Sequence, residues 1–135
     1  MRFDWKKPTV QMLGRWQPWH KGHTELFKRA LELTGQVVIM VREVPSEGDA
    51  NPHIDGKQDD NPFDFDQIHT EIVGALTDEG YSWQDDFLIL EVPNIVVISY
   101  GRGVGYTFTE HDLGKEIHEI SATKIREQLR KDGEL

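Results

Sequence analysis

The sequence predicts an open α/β fold, in which a mostly parallel sheet carries helices on both faces. Nearly unbroken apolar runs at residues 36–41 and 87–92 are typical of strands that are covered on both sides. Residues 20–34 and 62–79 repeat apolar side chains at helical spacing. Because strand and helix patterns alternate along the chain, helices should connect neighbouring parallel strands.

The start of the chain predicts a strand, a helix and a second strand. Residues 9–13 alternate between apolar and polar side chains and lead into Gly14, which predicts a short strand. A helix is predicted over residues 20–34, where Gly35 suits the left-handed stop. With the apolar run at 36–41, these elements form a βαβ unit, whose crossover should be right-handed.

The rest of the chain predicts a second helix, two strands and a final helix. Asn61 and Pro62 resemble an N-cap followed by proline at the first helical position, so the second helix should begin there and end near Glu79. The remaining strands and helix are predicted at residues 87–92, 94–99 and 121–131.

Length and composition favour a single domain spanning residues 1–135. The chain contains no cysteine, which excludes disulfides and thiolate metal sites and suits a cytoplasmic protein. Residues 1–7 are charged and predict an N-terminal arm rather than a signal peptide. Since no apolar run approaches the roughly 20 residues of a membrane span, we expect no membrane partner.

The acidic charge is concentrated in one segment. Residues 43–66 contain eight acidic residues and one lysine, and so carry −7 of the net charge of −9. An acidic chain argues against nucleic acid as a partner, because such binding needs lysine and arginine to neutralise phosphates. Prolines and glycines among these charges predict an acidic mobile loop at residues 43–61.

The turn after the first strand, residues 14–23, combines features of a phosphate site. His20 and His23 lie three residues apart at the start of the first helix, so they share a face. Free backbone N–H groups at a helix start also favour an anion. Two alternatives are open: each histidine is an ordinary cap or surface group, or the pair binds zinc with nearby Glu25.

A second motif opens the final helix. Ser121 is a candidate N-cap, and Ile120 with Ile125 would form a hydrophobic staple, which by itself describes an ordinary helix start. Residues 120–126 also supply two hydroxyl groups and two cations within one turn, next to free helical N–H groups. Such a terminus would suit the β and γ phosphates of a triphosphate.

Together these motifs resemble those of a known family. Residues 14–23, Gly-Arg-aromatic-Gln-Pro-aromatic-His-x-Gly-His, resemble the HxGH signature of the nucleotidylyltransferase superfamily. Residues 120–126 resemble its Ile-Ser-x-Thr-x-x-Arg signature. The residues of the first motif, together with Asn-Pro-Phe at 61–63, are similar to those of archaeal-type nicotinamide-nucleotide adenylyltransferases. The glycine-rich turn at 100–106 and the acidic loop depart from those relatives.

The resemblance covers about residues 8–131 and implies a Rossmann-like fold with nucleotidyl transfer as its activity. AMP would pass from ATP to a small anionic acceptor, with nicotinamide mononucleotide as the first expectation and release of pyrophosphate. Mg²⁺ would bridge the phosphates without a protein cage. A CTP-dependent cytidylyltransferase, a non-catalytic nucleotide sensor and a metal-dependent hydrolase are the alternatives. A homo-oligomer is compatible with the sequence.

The resemblance also implies roles for individual residues. His20 and His23 would contact the α and β phosphates, and Arg126 the β and γ phosphates; these three are the expected catalytic residues. The expected nucleotide-binding residues are Gly14, Arg15, Trp16, Gln17, Lys21, Gly22, Gly101, Arg102, Ser121, Thr123 and Lys124. No protein ligand to a metal is predicted.

Overall fold

The chain folds into a parallel sheet flanked by helices, the α/β class that the sequence predicts. The computed structural model describes residues 2–54, 58–103 and 105–135. In chain order the elements are β1 (Val10–Gly14), α1 (Lys21–Thr34), β2 (Val37–Arg42), α2 (Phe65–Asp78), β3 (Phe87–Val92), α3 (Lys115–His118) and α4 (Ala122–Lys131). The described strands lie in the order β1-β2-β3 and pair in parallel.

Helix α1 begins and ends where the sequence signals predict. The His20 side chain accepts a hydrogen bond from the backbone N–H of Gly22, which satisfies one of the free donors of the first turn. At the other end Gly35 adopts a left-handed conformation, with φ of 89°, and its N–H donates to the Leu31 carbonyl. Glycine suits this position because it has no Cβ to resist positive φ.

One face of the sheet carries the core. Val37, Ile39 and Val41 of β2 are buried, whereas the alternating Val38 and Met40 are only half-buried. The buried set packs with α1 and α2 in a single apolar cluster. Because strand side chains alternate between faces and both long helices pack against the buried set, α1 and α2 cover the same face of the sheet. The sequence predicted helices on both faces; the strand order β1-β2-β3 accounts for the difference, since successive right-handed crossovers in that order lie on one side.

Helix α2 begins later than predicted, so the N-cap assigned to Asn61 is wrong. The cap is Asp64, whose carboxylate accepts the N–H of Gln67 while the Gln67 side chain accepts the N–H of Asp64. Asn61 is instead buried, and its side-chain oxygen accepts a hydrogen bond from Arg15. The helix ends at Asp78, close to the predicted position.

The strand predicted at residues 94–99 is not formed. Pro93, directly before it, has no N–H for a ladder, and the N–H of Ile95 is used in a tight turn with the Pro93 carbonyl. Val97 and Ile98 are exposed. An apolar run predicts a buried strand only if other elements cover it, and none in the described part of the chain covers this one.

The N-terminal arm and the acidic segment are both held by hydrogen bonds. The N–H of Phe3 donates to the Gln84 carbonyl, and the Phe3 side chain is buried. In the acidic segment Glu47 and Asp60 form an antiparallel bridge, flanked by three further backbone bonds. Within the segment predicted as a mobile loop, the described residues 46–54 and 58–61 therefore form an irregular hairpin. Residues 55–57 lie outside the description.

The last helices complete the architecture. Helix α4 matches the predicted 121–131, and the sequence did not predict the four-residue helix α3. Within the described ranges, every helix is too short or too polar to cross a membrane.

Two isoleucine-to-alanine variants test the burial pattern. Ile72 of α2 is 0% exposed, so Ile72→Ala should lower the free energy of unfolding by about 2–5 kcal/mol. Ile98, in the segment wrongly predicted as a strand, is 56% exposed, so Ile98→Ala should change it by less than about 0.5 kcal/mol. Urea denaturation measures both. A large loss in Ile98→Ala would show that residues 94–99 are buried.

Candidate nucleotide-binding site

The two histidines of the first motif form a stacked pair. Their ring centroids are 3.7 Å apart, with 22° between the ring planes. His20 Nδ1 accepts the N–H of Gly22 at 3.0 Å, and His23 Nδ1 accepts the N–H of His20 at 3.1 Å. An accepting Nδ1 carries a lone pair, so each neutral ring bears its proton on Nε2. The pair therefore presents Nε2–H donors.

Burial keeps both imidazoles neutral. Desolvation, with a smaller contribution from the neighbouring His20, lowers the pKa of His23 to about 3. Desolvation also lowers the pKa of His20. At neutral pH the pair thus offers hydrogen bonds to an anion without contributing positive charge.

Two buried tryptophan rings pack against the imidazole of His23. Trp16 and Trp19 are buried, with ring centroids 4.8 and 5.4 Å from that of His23. The Trp16 indole N–H donates to the Met40 carbonyl at 3.0 Å. A Cβ on Gly14 would lie 2.8 Å from this indole, which explains the glycine there. Trp16 was expected to bind nucleotide; its ring packs against Gly14 and His23, and its N–H is used in the hydrogen bond to Met40.

Gln17 joins the first motif to the segment before α2. Its side-chain NH₂ donates to the Phe63 carbonyl at 2.9 Å, and its side-chain oxygen accepts the N–H of Phe63 at 3.0 Å. Both side-chain groups of this buried residue, expected to bind nucleotide, are thus occupied.

The start of α4 has the geometry predicted for the second motif. Ser121 is the N-cap, and its hydroxyl accepts the N–H of Lys124 at 3.4 Å. Thr123 and Lys124 are exposed on the first turn, where their side chains are accessible to a ligand.

Arg126 brings the two motifs into contact. Its side chain is buried at 5% exposure, and Nη1 donates to the Gln17 carbonyl at 2.5 Å across 109 residues of sequence. Nε donates to Asp60 at 2.9 Å, and Nη2 donates to the Thr123 hydroxyl at 3.4 Å. The residues of the second motif therefore lie against the loop that carries the histidines.

Asp60 is a partner that sequence reasoning missed. Arg130 donates to both of its oxygens, at 2.6 and 2.7 Å, in addition to the bond from Arg126. The hydrogen bonds from Arg130 and Arg126 lower the pKa of Asp60 to about 2. No sequence signal links these residues, because Asp60 and Arg126 are 66 residues apart.

Of the other residues expected to bind nucleotide, some lie near the two motifs and the rest are exposed without a described contact to either motif. Lys21 is exposed on the first turn of α1, Gly22 is buried, and Arg15 donates to the Asn61 side chain at 2.6 Å. Gly101 and Arg102 are exposed, and no described contact joins them to either motif. Within the described ranges, no three His, Asp or Glu side chains form a metal-binding group.

Comparisons with known proteins give structural relatives only. No family model and no curated protein matches the chain. A bifunctional NMN adenylyltransferase/ADP ribose pyrophosphatase from Francisella tularensis matches with a TM-score of 0.51 and 25% identity, over 64% of this chain and 22% of that one. A structure of that description and organism complexed with AMP and Mn ion matches equally, over 64% and 23%.

The chain has a nucleotidylyltransferase-type fold. The match rests on a region that is less than a quarter of each neighbour's length. It supports the superfamily that the motifs resemble, and it does not distinguish the archaeal-type branch within it.

The pH dependence of stability should report the depressed pKa of His23. Its folded pKa lies below the ordinary histidine value of 6.5, so the unfolded chain binds the proton first and stability is lost as pH falls from 6.5 toward about 3. At pH 5 the loss should be about 2 kcal/mol. Urea unfolding at pH 7.5 and 5.0 should show a smaller loss in His23→Gln than in the wild type. Equal losses would contradict the assignment.

Gly22 should resist substitution because of its contact with His20. A Cβ at Gly22 would lie 2.8 Å from His20 Cε1 and 3.0 Å from Nδ1, so the ring would have to move. Gly22→Ala should therefore destabilise the protein by about 1–3 kcal/mol in urea denaturation. The matched control is Gly74→Ala on α2, where a Cβ meets nothing within 4 Å and alanine should stabilise by about 0.5–1 kcal/mol. Equal effects would remove the steric explanation.

Proposed function

We propose that the chain is a nucleotidylyltransferase, which transfers AMP from ATP to a small anionic acceptor and releases pyrophosphate. The observation that carries this proposal is the buried hydrogen bond from Arg126 to the Gln17 carbonyl. This bond joins α4 to the loop before the histidine pair, and it supports a site in which one polyphosphate would contact both motifs. The structural likeness to NMN adenylyltransferases supports the same activity.

The proposed reaction is a direct displacement at phosphorus. An acceptor oxyanion attacks the α-phosphorus, the bond to the bridging oxygen of the β-phosphate breaks, and pyrophosphate leaves with that electron pair. The Nε2–H groups of His20 and His23 would donate to the α and β phosphates as charge develops on their oxygens. Ser121, Thr123 and Arg126, with the N–H groups of α4, would hold the β and γ phosphates.

The donor set suits phosphate rather than a bare cation. It consists of neutral imidazoles, hydroxyls and a guanidinium, and its nearby carboxylate, Asp60, is already paired with two arginines. Mg²⁺ would therefore be held mainly by the nucleotide phosphates and water, with the Ser121 and Thr123 hydroxyls within the same site. When bound, such an ion neutralises charge on the polyphosphate. One structural neighbour was solved with AMP and Mn ion, which supports a divalent cation.

Nicotinamide mononucleotide is the first acceptor to test, because the neighbours are NMN adenylyltransferases. The assay supplies ATP or CTP with Mg²⁺ and coupled pyrophosphatase, and measures phosphate release with each acceptor. Phosphate release with CTP but not with ATP would show that the chain is a cytidylyltransferase. ATP binding without pyrophosphate release for any acceptor would favour the nucleotide sensor.

His23→Ala should lower kcat about a hundredfold or more, since it removes one donor to the transition state. The matched control is His69→Ala, which removes a half-buried histidine on α2 that packs against Trp83. Circular dichroism would confirm that both variants are folded. Turnover in His23→Ala within a few-fold of the wild type would exclude His23 from the reaction.

A further inference from the structure

The short helix α3 packs against α1 beside the histidine pair. Ile117 of α3 is half-buried, whereas Lys115, Glu116 and His118 are exposed. A Cβ built on Gly22 would lie 3.4 Å from the Cγ2 methyl of Ile117, which is ordinary van der Waals contact. Helix α3 therefore meets the first turn of α1 through the side chain of Ile117.

The Ile117 methyl and the His20 ring border the same small space. The position of a Cβ on Gly22 lies 2.8 Å from His20 Cε1 and 3.0 Å from His20 Nδ1, as well as 3.4 Å from the methyl. His23 stacks on the His20 ring, with 3.7 Å between the ring centroids. Gly22 is thus bordered by an imidazole and an aliphatic methyl, and it has no side chain of its own to separate them.

Hydrogen bonds fix the turn that carries Ile117. The N–H of Leu113 donates to His118 Nε2 at 3.1 Å, and the N–H of Gly114 donates to the Asp112 carboxylate at 3.0 Å. The N–H of His118 donates to the Gly114 carbonyl at 3.1 Å. Gly114 has a φ of 91°, which glycine adopts without steric cost. The local backbone therefore sets the position of Ile117.

The backbone of Gly22 in turn controls the orientation of His20. Its N–H donates to His20 Nδ1 at 3.0 Å, which leaves the ring proton on Nε2. The His20 side chain is only half-buried, so a shift of Gly22 would let the ring turn. A displacement of about 1 Å at a reacting group can lower a rate about a hundredfold.

We propose that Ile117 is a positioning residue for nucleotidyl transfer. Its Cγ2 methyl holds Gly22 in place, and the Gly22 N–H holds the His20 ring so that Nε2–H points at the phosphates. Ile117 itself touches no reacting atom. This inference rests on the proposed function, because it concerns how one of the two histidines of that reaction is oriented.

The test uses three substitutions that separate the Cγ2 methyl from side-chain volume. Ile117→Val keeps the Cγ2 methyl and loses only Cδ1. Ile117→Leu keeps the volume but has no methyl on Cβ, and Ile117→Ala loses both. The matched control is Ile95→Ala, which truncates a half-buried isoleucine in the segment after β3. The full chain is assayed with ATP, Mg²⁺ and nicotinamide mononucleotide.

The expected kinetic result is a loss of kcat without a loss of ATP binding. Ile117→Ala and Ile117→Leu should lower kcat about tenfold or more, with the KM for ATP changed less than about threefold, because the contact orients a donor to the transition state. Ile117→Val and Ile95→Ala should stay within about twofold of the wild type. A merely structural contact would lower the unfolding temperature and leave the kcat of the folded protein unchanged.

Nuclear magnetic resonance supplies a readout that does not depend on turnover. Long-range ¹H–¹⁵N spectra at pH 7.5 should show His20 of the wild type and of Ile117→Val with its proton on Nε2. In Ile117→Ala and Ile117→Leu the His20 signals should move toward a mixture of the two tautomers. Unchanged kcat and unchanged His20 signals in both of these variants would overturn the proposal, as would an Ile117→Val variant that loses as much kcat as Ile117→Ala.

Failure of the proposed function gives a different result. If no acceptor causes pyrophosphate release but the His20 tautomer changes in Ile117→Leu and not in Ile117→Val, the positioning of His20 stands and the transferase activity fails. If the wild type transfers the nucleotidyl group and Ile117→Leu matches it in kcat and in the His20 spectrum, the activity stands and the role of Ile117 fails.

Discussion

The guanidinium of Arg126 connects three parts of the chain that are distant in sequence. It donates to the loop after β1 through Gln17, to the segment before α2 through Asp60, and to its own helix through Thr123. A buried guanidinium whose N–H groups are used in this way fixes the direction of each partner. The position of α4 relative to the histidine pair, and with it the candidate site, depends on these contacts.

Local signals were enough to predict most of the fold. Helix α1 has a cap at His20 and a stop at Gly35, and β2 and β3 are apolar runs that the core covers. The failures occurred where local signals competed. Asn61 has the sequence features of an N-cap, but its side chain binds Arg15, so Asp64 caps α2 instead. Among the described residues, no element covers the apolar run at 94–99, which only the tertiary structure could show.

The candidate site was predictable in part. The spacing of His20 and His23 predicted a shared face, and the structure stacks the two rings. The use of both Nδ1 atoms as backbone acceptors depends on loop geometry that spacing does not specify. The burial of Arg42, whose Nη2 donates to the Gln58 side-chain oxygen, could not have been predicted, because an arginine at the end of an apolar run usually faces solvent.

The acidic hairpin has a consequence for how any polyanion enters the site. Asp60 already holds Arg126 and Arg130 through three charged hydrogen bonds. In the proposed reaction, a triphosphate that binds Arg126 would have to displace the carboxylate of Asp60 or share the guanidinium with it. Two anions would then compete for one guanidinium, and binding of the ligand would be coupled to release of the Asp60 side chain that ties the hairpin to α4.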